Sequence, residues 1–419
     1  MKKLFTCALS VLLFCSASCQ SDQGRIGNWE KDLDFLLSEI KKQHYVYKNQ
    51  PLPEVLTQQL RQLKQNIANY SDERMLIELE RVMYHLGDGH SYILPFGANI
   101  VQAHFLPLQL FFFSDGMYVV DASEPYTSLI GQKVKKLGPV NPQKFMQDMV
   151  QFISQDNEMG AQWIGPFFLR FRGMLEAYGL SQGAKEIVLE MLDSKGKAKQ
   201  VTVPFVPVPR LRGIPKMPPY PKEPGSVPMY LTQIQKSYWL QHLPDQNALY
   251  FQFNQVMNEE SESLAAFTKK LEQTLIEKKP VLLIVDVRHN NGGNGDLTPP
   301  LIAALKNFEQ NQKGRIVVLT GRNTFSAAQI FIARVNRETK AIFAGEPSSS
   351  RPNFVGEENM VMLPYSGALG SISNRYHENI PGDQRKWIEP EIKVSLSSRD
   401  YFGAKDPVLA AVFKYFRGS

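Results

Sequence analysis

The chain has 419 residues, 43% of them hydrophobic and 21% charged, with a formal net charge of +6, the composition of an ordinary globular protein long enough for two or three domains with real cores. Its three cysteines, Cys7, Cys15 and Cys19, all lie near the N-terminus, so the folded body has no disulfide, metal-thiolate or thiol-nucleophile chemistry to offer. Basic residues are not clustered among aromatics, which argues against a nucleic-acid partner.

Met1-Lys2-Lys3, the apolar run from Leu4 to Phe14 and the small residues Ser16-Ala17-Ser18 make a secretory leader over residues 1–19, too short to be a permanent membrane span. The mature protein is expected to be exported. Cys19 follows small residues as the acylated cysteine of a bacterial lipoprotein would, giving an outer-membrane anchor; a simple cut nearby would instead release a periplasmic or secreted protein. Residues 25–97 form the next unit. Trp29, Leu33, Leu36 and Ile40 fall on one helical face, as do Leu56, Leu60, Leu63 and Ile67, and a third helix beginning at Ser71-Asp72 carries Leu76, Leu79, Val82, Met83 and Leu86. His44 and His85 fall in these helical patterns and read as packing or surface residues. Gly87 ends the third helix, and Asp88-Gly89-His90-Ser91 makes a loop before the strand-like Tyr92-Ile93-Leu94. His90, on a loop tip between glycine and serine, is placed where function tends to sit.

Residues 98–208 read as short strands around a helix: Leu108–Phe113, Gly116–Val120, Gly131–Leu137 and Glu186–Leu192. The proline-dense passage 209–228 forbids helix and interior strand and reads as a stiff connector holding a domain boundary. Residues 229–419 form the last unit. Tyr250–Asn254 is a strand, and Leu264, Phe267, Leu271 and Leu275 mark a helix.

This helix leads into Val281–Val287, a continuous apolar run expected of a strand buried on both faces, which ends in Asn290-Asn291-Gly292-Gly293. A second such strand, Ile316–Leu319, runs to Thr324-Phe325-Ser326-Ala327-Ala328, and Ile330, Phe331, Ala333 and Val335 then repeat as a helix. Ser326 therefore sits at a helix N-terminus, where the first N–H groups have no internal partner. An oxyanion forming beside Ser326 would meet the Ala327 N–H, and Gly292 or Gly293, lacking Cβ, could bring a second donor close. The plain alternative is a capping serine beside a glycine turn. The glycine spacing fits neither an α/β-hydrolase elbow nor a phosphate loop.

Asp286–Gly293, Thr324–Ala328, Gly345-Glu346-Pro347 and Ile388–Ile392, in this order, resemble the successive motifs of the tail-specific (C-terminal processing) serine peptidases, and more closely those of the tricorn-like and retinoid-binding-protein-like branch. The resemblance covers most of the chain after the leader. It implies an α/β fold: a crotonase-like ββα catalytic domain, an N-terminal helical segment, and a divergent PDZ-like module over 98–208. That module lacks a Gly-Leu-Gly-Phe type carboxylate loop, so it is either a peptide-capturing unit or a lid or spacer. The resemblance implies Ser326 as nucleophile and His90, in Asp-Gly-His-Ser, as general base. The processing branch carries a lysine base after Gly-Glu-Pro, where this chain has Ser348-Ser349-Ser350-Arg351; a guanidinium cannot act as base, so a Ser-Lys dyad drops out. Arg351 could bind a substrate carboxylate or brace its loop. A carboxylate should orient the imidazole. Gln384 stands near the position of the tricorn-type glutamate, leaving Asp383 as first choice and Glu389 behind it. The expected activity is an exported serine peptidase acting on peptides or unfolded proteins with no metal and no cofactor. The alternative is a peptide or apolar-ligand binding protein on the same scaffold.

Overall fold

A computed structural model describes residues 6–97, 103–193, 195–207 and 227–417, with side chains in the first helix from residue 23 onward. Met1–Phe5 of the expected leader, the Cys19 side chain, and residues 208–226, which hold most of the expected connector, lie outside the described residues or side chains. Among the described residues no helix is long and apolar enough to cross a membrane.

Three helices open the chain: α1 (Thr6–Gln43), α2 (Glu54–Asn66) and α3 (Asp72–Tyr84). The predicted apolar stripes are what they bury, with Trp29, Leu33, Leu36, Leu56, Leu76, Leu79 and Val82 fully enclosed. Ser71 caps α3 by accepting the Arg74 N–H at 3.1 Å, an interaction that stabilises a helix start by about 1 kcal/mol.

The strand β1 (Tyr92–Gly97) then pairs with neither chain neighbour. It joins β13 (Ala368–His377), itself the return strand of a hairpin with β12 (Phe354–Met362), in a three-stranded sheet of order β1-β13-β12. This sheet packs Val361, Ala368 and Ile372 against the helical core. The sequence reading placed no strands between 354 and 377. The apolar pattern of β12 is interrupted by Glu357, Glu358 and Asn359.

The middle segment is a five-stranded antiparallel meander of β2 (Leu108–Phe113), β3 (Gly116–Ala122), β4 (Lys133–Leu137), β5 (Glu186–Leu192) and β6 (Ala198–Pro204). All four predicted strands are present. Between β4 and β5 lie three helices rather than one: α4 (Pro142–Asp148), α5 (Glu158–Phe168) and α6 (Arg172–Ala177).

The last segment is built on a six-stranded sheet. Its strands are β7 (Tyr238–Leu243), β8 (Ala248–Phe253), β9 (Leu282–Asp286), β10 (Arg315–Thr320), β11 (Ile342–Gly345) and β14 (Ile392–Lys393), adjacent in that order. All pairs are parallel except β7 with β8. Every residue of β8 and β9 is buried, as expected of parallel strands with both faces covered. One face packs on α7 (Leu264–Lys278), α8 (Pro299–Asn311) and α9 (Ala327–Glu338) through Phe267, Leu271, Leu305, Phe331 and Ile332. The other packs Tyr250, Ile284, Val317 and Leu319 on Val408, Leu409 and Val412 of the final helix.

Candidate active site

Ser326 lies between the carboxyl end of β10 and the first turn of α9. The turn is pinned from the neighbouring β9 loop: Thr324 Oγ1 donates to the Val287 carbonyl at 2.9 Å and the Phe325 N–H to the Asn290 carbonyl at 3.0 Å. The backbone at Ser326 is held at φ 55°, ψ −123°, a conformation that a residue with a Cβ adopts at a cost of roughly 1–3 kcal/mol. This strained turn is not legible from local composition, because Thr324 and Ala328 stand where flanking glycines usually announce it. Ser326 makes no side-chain cap to α9. Its Oγ faces His90 Nε2 at 2.9 Å instead, so the plain capping role does not describe it.

His90 is buried, with 2% of its surface exposed. Its ring stacks on Phe325, centroids 4.4 Å apart, and on Phe354 at 5.4 Å. Its loop is clamped by Asp88, whose Oδ1 accepts the N–H groups of His90 (2.9 Å) and Ser91 (2.7 Å) and the Ser373 hydroxyl (2.6 Å). Asp88 Oδ2 meets His44 Nε2 at 3.0 Å. Because His44 Nδ1 accepts the N–H groups of Val46 and Tyr47, the His44 proton sits on Nε2 and is donated to Asp88. His44 is thus a buried hydrogen-bonding residue behind the His90 loop, a role its helical context concealed. On the other side, the Gly89 N–H donates to Asp156 Oδ1 at 2.8 Å. Burial pushes His90 down to about 4, against the opposing pull of the Asp88 charge. The imidazole is therefore neutral at ordinary pH, the form that can accept a proton. Hydrogen bonds from His44 and Ser373 hold Asp88 below its usual range despite its burial, so it stays anionic. Burial pushes Asp156 up to about 7.

Gly292 and Gly293 both adopt positive φ, 118° and 132°. A Cβ on Gly292 would stand 2.7 Å from Ser326 Cβ and 3.1 Å from the Ala327 nitrogen; the absent side chain is what lets the two loops meet. The Gly292 N–H donates to Asn290 Oδ1 at 3.0 Å. Gly293 and Ala327, with Ser326 and His90, line a cleft of about 600 Å³.

The remaining sequence candidates lie elsewhere. Asp383 accepts from the Arg385 guanidinium at both carboxylate oxygens, Oδ1 at 3.1 Å and Oδ2 at 2.9 and 2.6 Å, and that pairing holds it below the usual carboxylate range. It does not hydrogen-bond His90, whose Nδ1 has no hydrogen-bond partner among the described residues. Glu389 pairs with Trp387 and Lys393. The expected carboxylate on the imidazole is thus supplied by neither; the nearest substitutes are two aromatic faces and the charge of Asp88. Arg351 is exposed, donates Nε to the Asp156 carbonyl at 2.7 Å and does not line the cleft, the geometry of a brace. Among the described residues no group of three or more His, Cys, Asp or Glu side chains is placed to hold a metal ion.

No protein-family model matches the sequence, and no curated protein matches it. Solved structures do match in fold. Mature CPAF complexed with lactacystin is 14% identical, with a TM-score of 0.65 over 94% of this chain and 98% of that one. Mature CPAF alone is 13% identical, with a TM-score of 0.61 over 94% and 96%. The photosystem II D1 C-terminal processing protease is 11% identical, with a TM-score of 0.40 over 92% and 96%. The mixed α/β fold of this chain is thus similar over nearly its whole length to that of mature CPAF.

Proposed function

We propose that this chain is a serine peptidase in which Ser326 is the nucleophile and His90 the general base. The observation that carries the reading is the 2.9 Å approach of His90 Nε2 to a Ser326 Oγ that caps no helix. In the first step Oγ bonds to the carbonyl carbon of a peptide and its proton passes to Nε2. The oxyanion is received by the N–H groups of Ala327 and Gly293, since the Gly292 N–H is already directed at Asn290. Asp88, buried and anionic close behind the imidazole, favours the imidazolium formed in this step. Nε2 then returns the proton to the leaving amine, and water repeats the sequence on the acyl-enzyme. The likeness in fold to CPAF and other peptidases supports the same reading.

The substrates are peptides or unfolded proteins. In this reading the segment bearing Ser326 is the crotonase-like domain, the middle sheet is the divergent PDZ-like module, and the N-terminal leader exports the chain, with Cys19 as a lipid anchor.

A fluorophosphonate probe tests the centre directly. Wild type is expected to label, and Ser326→Ala and His90→Ala, shown to be folded by circular dichroism, are expected not to. Labelling that persists in Ser326→Ala would place the nucleophile elsewhere. A folded wild type that neither labels nor cleaves any peptide would favour a binding protein on the same scaffold.

A further inference from the structure

The cleft beside Ser326 is one-sided in charge although the protein as a whole is basic. Among the described residues three carboxyl groups line it, Glu80, Glu357 and Glu358, and no lysine or arginine does. Glu357 and Glu358 already have neighbours: Glu357 meets His377 at 3.3 Å, and Glu358 hydrogen-bonds Tyr92. Glu80 is different. It is buried, 2% exposed, and its two oxygens accept the backbone N–H groups of Ile93 at 2.7 Å and Ser154 at 2.9 Å, with the Ser154 hydroxyl also at the carboxyl. No basic side chain of the described residues pairs with it. Beside it Ser154, 3% exposed, lines the same cleft with its hydroxyl turned to the Glu80 carboxyl. Apolar side chains, Ile93, Ile153, Ile164 and Phe168, complete the wall around them.

A buried carboxyl without a cation is a costly arrangement. In this cleft Glu80 and Ser154 together have the chemistry to receive one kind of group. We propose that Glu80 and Ser154 form the floor of a specificity pocket for a lysine or arginine side chain of the substrate, next to the scissile bond. The aliphatic stem lies along the isoleucines and Phe168, and the cationic head reaches the Glu80 carboxylate and Ser154 Oγ. Burial pushes Glu80 up to about 8 in the empty cleft. The carboxyl therefore carries a proton that leaves to solvent when the cation arrives, and the group is never an unpaired buried charge. This inference rests on the peptidase reading for the direction of the substrate, but its test does not need turnover.

The experiment measures binding of fluorescent pentapeptides to the full chain carrying Ser326→Ala, comparing peptides that differ only in lysine against norleucine, which has the same stem and no charge. Lysine is expected to bind at least ~10-fold more tightly, and Glu80→Gln in the same background to bring that ratio within about 3-fold. Equal binding of the two peptides, absence of binding by both, or a lysine preference that survives Glu80→Gln would overturn the proposal. Because Glu80 also ties two backbone segments together, Ser154→Ala provides a second variant, expected to narrow the ratio without loss of fold. If the lysine preference stands while the wild type fails to label with fluorophosphonate, the pocket holds and the catalytic reading falls.

Discussion

His90 Nε2 and Ser326 Oγ lie 2.9 Å apart across a separation of 236 residues in sequence. The contact joins a loop that follows the N-terminal helices to a turn that opens α9. What closes the distance is the β1–β13 pairing, in which Tyr92 sits opposite Ser371. The strand immediately after His90 is thus stitched to a hairpin that follows the Ser326 domain's central strands. Asp88, bonded at once to the His90 loop and to Ser373, fastens the same junction.

The pH dependence of activity follows from the His90 environment. With its folded value near 4, the base is protonated, and lost, only as pH falls through that region. The acid limb of kcat/KM is expected between about pH 4 and 5, well below the ordinary histidine value of about 6.5. A limb near 6.5 would mean that the imidazole is solvated.

Stability should respond to pH in two opposed ways. Glu80 at about 8 and Asp156 at about 7 hold protons in the folded state that the unfolded chain releases near its ordinary carboxylate values. Their contribution is fully present below those values and is lost as pH rises through 7 to 8. His90 is depressed, so its contribution is present above the unfolded histidine value and is lost as pH falls toward 4. Urea midpoints are expected to be lower at pH 8.5 than at pH 6.5.

The two glycines should fail differently when given a Cβ. Gly292→Ala drives its methyl into Ser326 Cβ at 2.7 Å, which displaces the nucleophile. Labelling is expected to fall at least ~100-fold, since small misplacements at the reacting atom cost that much. Gly293→Ala meets the Val256 carbonyl oxygen at 2.1 Å and must shift backbone. It is expected to lower stability by about 2 kcal/mol or more, read as a reduced urea midpoint.

Asp88→Asn removes a buried charge that accepts three hydrogen bonds at one oxygen and pairs with His44 at the other. A loss of about 3 kcal/mol is expected, with probe labelling slowed at least ~10-fold in the fraction that remains folded. The acid limb should also move further down, because the Asp88 charge is what raises His90 against burial. A merely structural Asp88 would leave that limb in place.

Asp383→Asn removes only the exposed pairing with Arg385. It is expected to change labelling less than about 3-fold and stability by under ~1 kcal/mol. A large loss of labelling would restore Asp383 as the carboxylate that serves His90.

The sequence by itself determined most of the elements and pointed to Ser326 and His90. Apolar runs such as Leu282–Asp286 had one way to be buried, between two layers, and the stripes of α2 and α3 had one face to hide. Ser326 and His90 were legible because the short motifs that hold them resemble those of the tail-specific serine peptidases. The tertiary structure decided everything that depends on pairing between distant segments. It decided that β1 joins the 354–377 hairpin, that His44 and Asp88 clamp the His90 loop, and that Asp383 turns to Arg385. It also decided the strained backbone of Ser326, which is imposed by hydrogen bonds from the β9 loop and not by its own neighbours. The physical reason is the same in each case: local propensity and periodicity act over a few residues, whereas the partner of a buried charge or a strand edge is selected by what the rest of the chain brings alongside it.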